Sequence, residues 1–196
     1  MIFSKKKQFL LINDVKLNKL IFNLIIKNIP HSIFSKLNFF FFKKIIQKKL
    51  VDLYLIKKKK KISAIISVTS VNNYSLIKKE ILKYLFLNPL IVILNLSFFL
   101  NLPNRDSNEI DLKHKNKFLH LLHFIILKKQ FSQNSLKEKD SIVNFFFKKI
   151  INKYNANYFY LCYEKSNIRA HKYYKRNKFK IYKRNKNIIF VKKKVV

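Results

Sequence analysis

At 196 residues the chain has room for one domain around one core. Hydrophobic residues make up 49% and aromatics 15%, which excludes an intrinsically disordered chain. A balance of 43 Lys and Arg against 9 acidic residues gives a net charge of +34, ordinarily a sign of nucleic acid or an anionic membrane as partner. Here the lysines run the whole length of the chain, Gly and Trp are absent, and Ala and Arg are scarce. That pattern fits an AT-rich genome writing a solvated, lysine-coated surface, so nucleic acid is not favoured as the partner.

The first residues, Met1 to Lys7, are basic, but Asn13, Asp14 and Lys16 interrupt the apolar run that a secretory signal needs. Phe9 to Ile12 reads as a strand, and Asn13-Asp14 offers capping chemistry to a helix with apolar Val15, Leu17, Leu20, Ile21, Leu24 and Ile25 that stops at Pro30. A helix is predicted over 33–48, with Phe34, Leu37, Phe41, Ile45 and Ile46 at helical spacing. Two strands follow, 51–56 and 62–71, in the outline of a hairpin.

From Tyr84 to Asn104 no residue is charged, long enough to raise a transmembrane helix. Pro89, Asn88, Asn95 and Asn101 interrupt it, and unpartnered amides are unfavourable in a bilayer core. The segment reads instead as an apolar insertion, a buried helix or an interfacial patch flanked by Lys78, Lys79 and Lys83. A polar loop covers 104–117. Then come a strand (118–127), a polar loop (128–138), a helix to Tyr154, a strand (158–163), a helix (167–176) and two closing strands, 179–183 and 188–192. This alternation predicts an α/β fold with a mixed sheet.

The single Cys162 excludes an intramolecular disulfide and a cysteine zinc cluster, which implies a reducing, cytoplasmic setting. Centred in an apolar strand, it reads as an inert core residue. His120 and His123 lie three apart on one strand, where strict alternation sends them to opposite faces, so at most one faces a cleft and the two do not form a metal site.

The stretch from Asn155 to Phe179 resembles the closing motif of GNAT acetyltransferases. In that family a strand leads to an Asn, an Ala three residues on, a Tyr four beyond, and a Gly-Phe pair. Here Asn167, Ala170, Tyr174, Asn177 and Phe179 stand in that order, with Asn177 read at the glycine position because Asn also tolerates left-handed backbone, and Lys178 as variable spacing. In layout, the front half is similar to GNAT proteins found among sugar-modifying and surface-polysaccharide genes.

The resemblance implies a single GNAT-like domain over 1–196, a mixed, mostly antiparallel sheet flanked by helices. It implies an N-acyltransferase that moves an acetyl group from acetyl-CoA to a primary amine, with no metal. Tyr174 would protonate the leaving thiolate, and His123 is the candidate base on the strand before the cofactor loop. Phe124, Ile125 and Ile126 on that strand, and Asn167, would contact the co-substrate. In the family a glycine-rich loop then binds the pyrophosphate; here every glycine is replaced. One register of that loop uses Gln130, Gln133 and Ser135, a second Ser132, Ser135 and Lys137, and a third, counted back from Ile142, Lys137 and Lys139; Asn134 and Leu136 fall in the same segment. Lysines there could neutralise phosphates that glycine N–H groups no longer reach. The acceptor is open, although so cationic a protein would attract an anionic one such as a nucleotide sugar. The reading from a different class is a noncatalytic GNAT-like scaffold whose lysines bind polyanions or a membrane surface.

Overall fold

The computed structural model describes residues 7–11, 19–30, 33–58, 61–95, 118–127 and 136–194. Strands β1 (Lys7–Leu11), β2 (Asp52–Lys58), β3 (Lys61–Ser70), β4 (Phe118–Ile126), β5 (Tyr158–Glu164), β6 (Lys180–Arg184) and β7 (Ile188–Lys194) form a seven-stranded sheet in the order β1-β2-β3-β4-β5-β7-β6. All neighbouring pairs are antiparallel except β4 and β5. The fold is the predicted α/β arrangement, a mixed and mostly antiparallel sheet flanked by helices.

The helices are α1 (Lys19–Asn28), α2 (Ile33–Lys36), α3 (Phe39–Gln47), α4 (Val71–Leu87), α5 (Pro89–Leu94), α6 (Leu136–Lys153) and α7 (Ile168–Arg176). Alternation along the strands divides the buried side chains between two faces of the sheet. Tyr54, Ile56, Ala64, Ile66 and Val68 face α6, whose Val143, Phe147 and Ile150 are buried against them with Tyr174 of α7. Leu53, Leu55 and Ile65 face the other way, onto Phe22 and Ile25 of α1, Phe42 and Ile45 of α3, and Ile77 and Ile81 of α4.

Two elements depart from the predicted ones. The helix expected over 33–48 is broken at Asn38, whose side chain accepts the Phe41 N–H at 2.9 Å and so starts α3 afresh. After β3 the chain forms an additional helix of 17 residues, with Ser70 capping it by accepting the Asn73 N–H. The apolar insertion over 84–104 is therefore divided between the end of α4 and α5, and 96–104 lies outside the described residues. Among the described residues no helix is long and apolar enough to cross a membrane.

With no glycine in the chain, other residues take the left-handed turn that ends a helix. Lys49 (φ 55°), Asn155 (φ 48°) and Lys178 (φ 60°) do so after α3, α6 and α7. In each case the next residue reaches back five positions: Leu50 to Ile45 O, Ala156 to Ile151 O and Phe179 to Tyr174 O. These are Schellman closures that satisfy the last carbonyls and turn Leu50, Ala156 and Phe179 into the core.

Candidate active site

β4 and β5 pair through Phe118↔Tyr158, Leu119↔Phe159 and His120↔Tyr160, and no further. β4 continues to Ile126 and β5 to Glu164, so beyond His120 the two central strands separate and leave facing main-chain edges outside any ladder. A slot of this kind can pair the amides of an extended ligand as a third strand would.

Opposite β3 the register jumps between Ser67↔His123 and Val68↔Leu121, so Leu122 is the extra residue of a β-bulge. The bulge resets the strict alternation predicted for this strand. His120 and His123 consequently face the same side of the sheet, not opposite sides. The His120 ring lies 4.2 Å from Tyr74 of α4 and 4.8 Å from Tyr160, while His123 packs edge-on against Phe34 at 5.2 Å. His123 Nδ1 is 2.6 Å from Ser67 Oγ, and only 1% of the residue is exposed. Burial lowers its pKa to about 4, so the ring is neutral at ordinary pH. Enclosed between α2, α3 and the sheet, His123 is not turned into the slot as the predicted base was to be.

α7 lies over the slot from the opposite face. Tyr173 meets Phe124 of β4 at 5.1 Å, whereas Tyr174 meets Tyr163 of β5 at 5.2 Å and Phe179 at 4.9 Å. Burial, with Cys162 and Tyr163 close by, pushes the Tyr174 phenol above its usual range and keeps it protonated. Beyond Tyr174 a cavity of about 400 Å³ opens between α7 and strands β6 and β7, lined also by Tyr163, His171 and Arg184. The Tyr163 hydroxyl and His171 Nδ1 are 2.9 Å apart on its wall. The Tyr173 hydroxyl is buried with no hydrogen-bond partner among the described residues.

Solved structures share this fold over nearly the whole chain. One is the Campylobacter jejuni N-acetyltransferase PseH in complex with acetyl coenzyme A, with a TM-score of 0.56 and 15% identity, covering 96% of this chain and 98% of that one. Another is a probable acetyltransferase from Staphylococcus epidermidis, with a TM-score of 0.57 and 9% identity over 97% and 99% of the two chains. A third, spermidine N-acetyltransferase from Vibrio cholerae in complex with CoA and spermine, has a TM-score of 0.51 and 9% identity over 97% and 96%. The fold is that of the GNAT N-acetyltransferases. No protein-family model and no curated protein matches the sequence.

Within the GNAT fold the predicted residues can be placed one by one. Asn167 caps α7, its side chain accepting the Ala170 N–H at 3.0 Å. Phe124 packs with Phe147 and Tyr173, Ile125 is buried on the α1–α4 side, and Ile126 packs against the core under α6. Leu136, Lys137 and Lys139 fall in the first turns of α6, whose N-terminal N–H groups are the ones a helix can offer an anion. Gln130, Ser132, Gln133, Asn134 and Ser135 lie outside the described residues. Among the described residues no group of three or more His, Cys, Asp or Glu could hold a metal ion.

The glycine position of the motif needs correcting. Asn177 has ordinary backbone (φ −89°), and Lys178 is the left-handed residue. Asn177 is buried instead in a polar bridge, its Nδ2 donating to Tyr173 O at 3.0 Å and its Oδ1 accepting from Asn144 Nδ2 at 3.2 Å. Lys193 donates to the same Asn144, and burial lowers that lysine's pKa. A second tie that sequence reasoning missed joins the ends of the two helices: Arg176 grips Asp140 of α6 through both carboxylate oxygens. Residues so far apart along the chain carry no local signal of such pairing.

Proposed function

We propose that the whole chain is one GNAT-type domain that transfers an acetyl group from acetyl-CoA to a primary amine. The observation that supports this most directly is the separation of β4 and β5 beyond His120, covered by α7 with Tyr174 on its β5 side. In this reading the pantetheine arm lies in the slot, its amides pairing with the edges of β4 (Phe124 to Ile126) and β5. The first turn of α6, with Lys137 and Lys139 and the preceding residues 130–135, receives the pyrophosphate, and Asn167 at the start of α7 borders the same ligand.

The amine nitrogen attacks the thioester carbonyl, and main-chain N–H groups beside the bulge of β4 stabilise the oxygen as it gains charge. As the C–N bond forms and the C–S bond breaks, the Tyr174 hydroxyl gives its proton to the departing sulfur. Excess protons on the nitrogen pass to water, and Tyr174 is reprotonated from solvent. Most of the acceleration comes from holding the two reactants together. His123, enclosed and neutral, holds the bulge in place rather than taking a proton. The net charge of +34 favours an anionic amine such as a nucleotide amino sugar as acceptor.

Calorimetry with acetyl-CoA and desulfo-CoA at low and moderate salt tests the reading, followed by acetylation assays on a panel of amino sugars, polyamines and peptide amines. Micromolar binding that survives moderate salt, with turnover of at least one amine, is the expected result. Equal binding of any polyanion, abolished by salt, would identify a noncatalytic scaffold instead.

A further inference from the structure

β3 and β4 are antiparallel neighbours whose paired ends, Ser70 and Leu119, lie side by side. A hairpin loop of about two to five residues ordinarily closes such a pair. Here residues 71–117 run between them and carry α4 and α5. α4 buries Val71, Ile77 and Ile81, and α5 buries nothing. From the middle of α4 onward Leu82, Phe86, Leu87, Leu90, Ile93 and Leu94 stand 66% to 87% exposed. Half of the large hydrophobic residues exposed among the described ones thus gather at one corner, which calls for a partner.

The corner is built to leave water. Two of the three amides that weigh against burial in lipid, Asn88 and Asn95, are engaged with backbone: Asn88 Nδ2 donates to Tyr84 O at 2.8 Å and Asn95 Nδ2 to Ile91 O at 3.0 Å. One N–H of each amide is thus satisfied without solvent, and each occupies a carbonyl near the end of α4 or α5. Lys79 and Lys83 are exposed one turn before the apolar residues. Charge decides which partner fits. Two copies, each carrying +34, repel one another, whereas an anionic surface attracts the lysine margin and accepts the apolar tip.

We propose that the corner formed by α4 and α5 docks the protein on anionic lipid bilayers. Phe86, Leu87, Leu90 and Leu94 enter the boundary between headgroups and acyl chains, and Lys79 and Lys83 meet lipid phosphates. This holds whether or not the chain transfers acetyl groups.

The test is flotation of the full chain with vesicles of phosphatidylcholine alone and of phosphatidylcholine with phosphatidylserine in equal parts. The protein should float with the mixed vesicles and only weakly with the neutral ones. The double substitution Phe86→Ser and Leu90→Ser should cut the floated fraction about tenfold or more and leave the unfolding temperature unchanged. Lys79→Glu with Lys83→Glu should weaken flotation and flatten its salt dependence. No flotation with mixed vesicles would overturn the proposal, as would flotation undiminished by the serine substitutions. A dimer seen by sedimentation and abolished by the serine substitutions would overturn it too, assigning the corner to a second copy.

Discussion

Tyr173 and Tyr174, neighbours in α7, set their rings at 84° with centroids 5.4 Å apart and so divide between the two separated strands, Tyr173 to β4 and Tyr174 to β5. The division predicts opposite outcomes for the same chemical change. Tyr174→Phe removes the proposed acid and should lower kcat about a hundredfold with little change in KM for acetyl-CoA. Tyr173→Phe removes a buried hydroxyl with no partner among the described residues, which should stabilise the protein by about 1 kcal/mol, a rise of roughly 2–4 °C in Tm. Steady-state kinetics and thermal unfolding of the two variants check both. Because the Tyr174 phenol titrates above its usual range, activity should show no alkaline loss from this group up to about pH 10.

The closing third of the fold is legible because local chemistry there agrees with the global arrangement. Asn167 does cap a helix, and Phe179 does turn inward after it. The front half is less legible, since runs such as Phe39 to Phe42 satisfy several periodicities, and only the Asn38 cap reveals where α3 begins. His123 faces a different side from the one strict alternation predicts, for a different reason. A bulge arises from the match between two strands, here Ser67 and Val68 against Leu121 to His123, and neither strand announces it alone. Lys178 escaped notice because its left-handed backbone is imposed by the Schellman bonds around it, against the residue's own preference.

That imposed conformation is testable. Lys49 and Lys178 each sit at φ near 60°, where a Cβ costs on the order of 1 kcal/mol relative to Gly. Lys178→Gly and Lys49→Gly should each raise Tm by roughly 2–4 °C, and the two should add because the sites end different helices and share no partner among the described residues. Asn155→Gly should gain less, as Asn visits this region more readily. Thermal scans of the single and double variants decide, and a fall in Tm for Lys178→Gly would mean that the lysine side chain contributes more than its backbone costs.

His123 predicts a pH dependence of stability. Its pKa in the fold is about 4, below the ordinary value of 6.5, so between these limits the unfolded chain binds the extra proton. Stability should therefore be full above about pH 6.5 and fall toward pH 4, by an amount on the order of 3 kcal/mol for this group. Urea unfolding at a series of pH values measures the slope. His123→Gln, which keeps a donor and an acceptor for Ser67 while removing the titration, should lower stability near neutrality and flatten that slope.

Arg176 and Asp140 tie the end of α7 to the second turn of α6, beside the turn proposed to receive phosphate. The arginine is 42% exposed and its carboxylate partner 15%, so solvent screens part of the attraction even though the contact is bidentate. A double-mutant cycle with Asp140→Asn and Arg176→Gln should yield a coupling of about 0.5–1 kcal/mol, reduced by salt. The single variants separate this structural role from an electrostatic one at the co-substrate. Arg176→Gln leaves a carboxylate uncompensated next to the anion site and should weaken acetyl-CoA binding, whereas Asp140→Asn removes that negative charge and should not. If both weakened binding equally, the tie would matter through the position of α6 rather than through its charge.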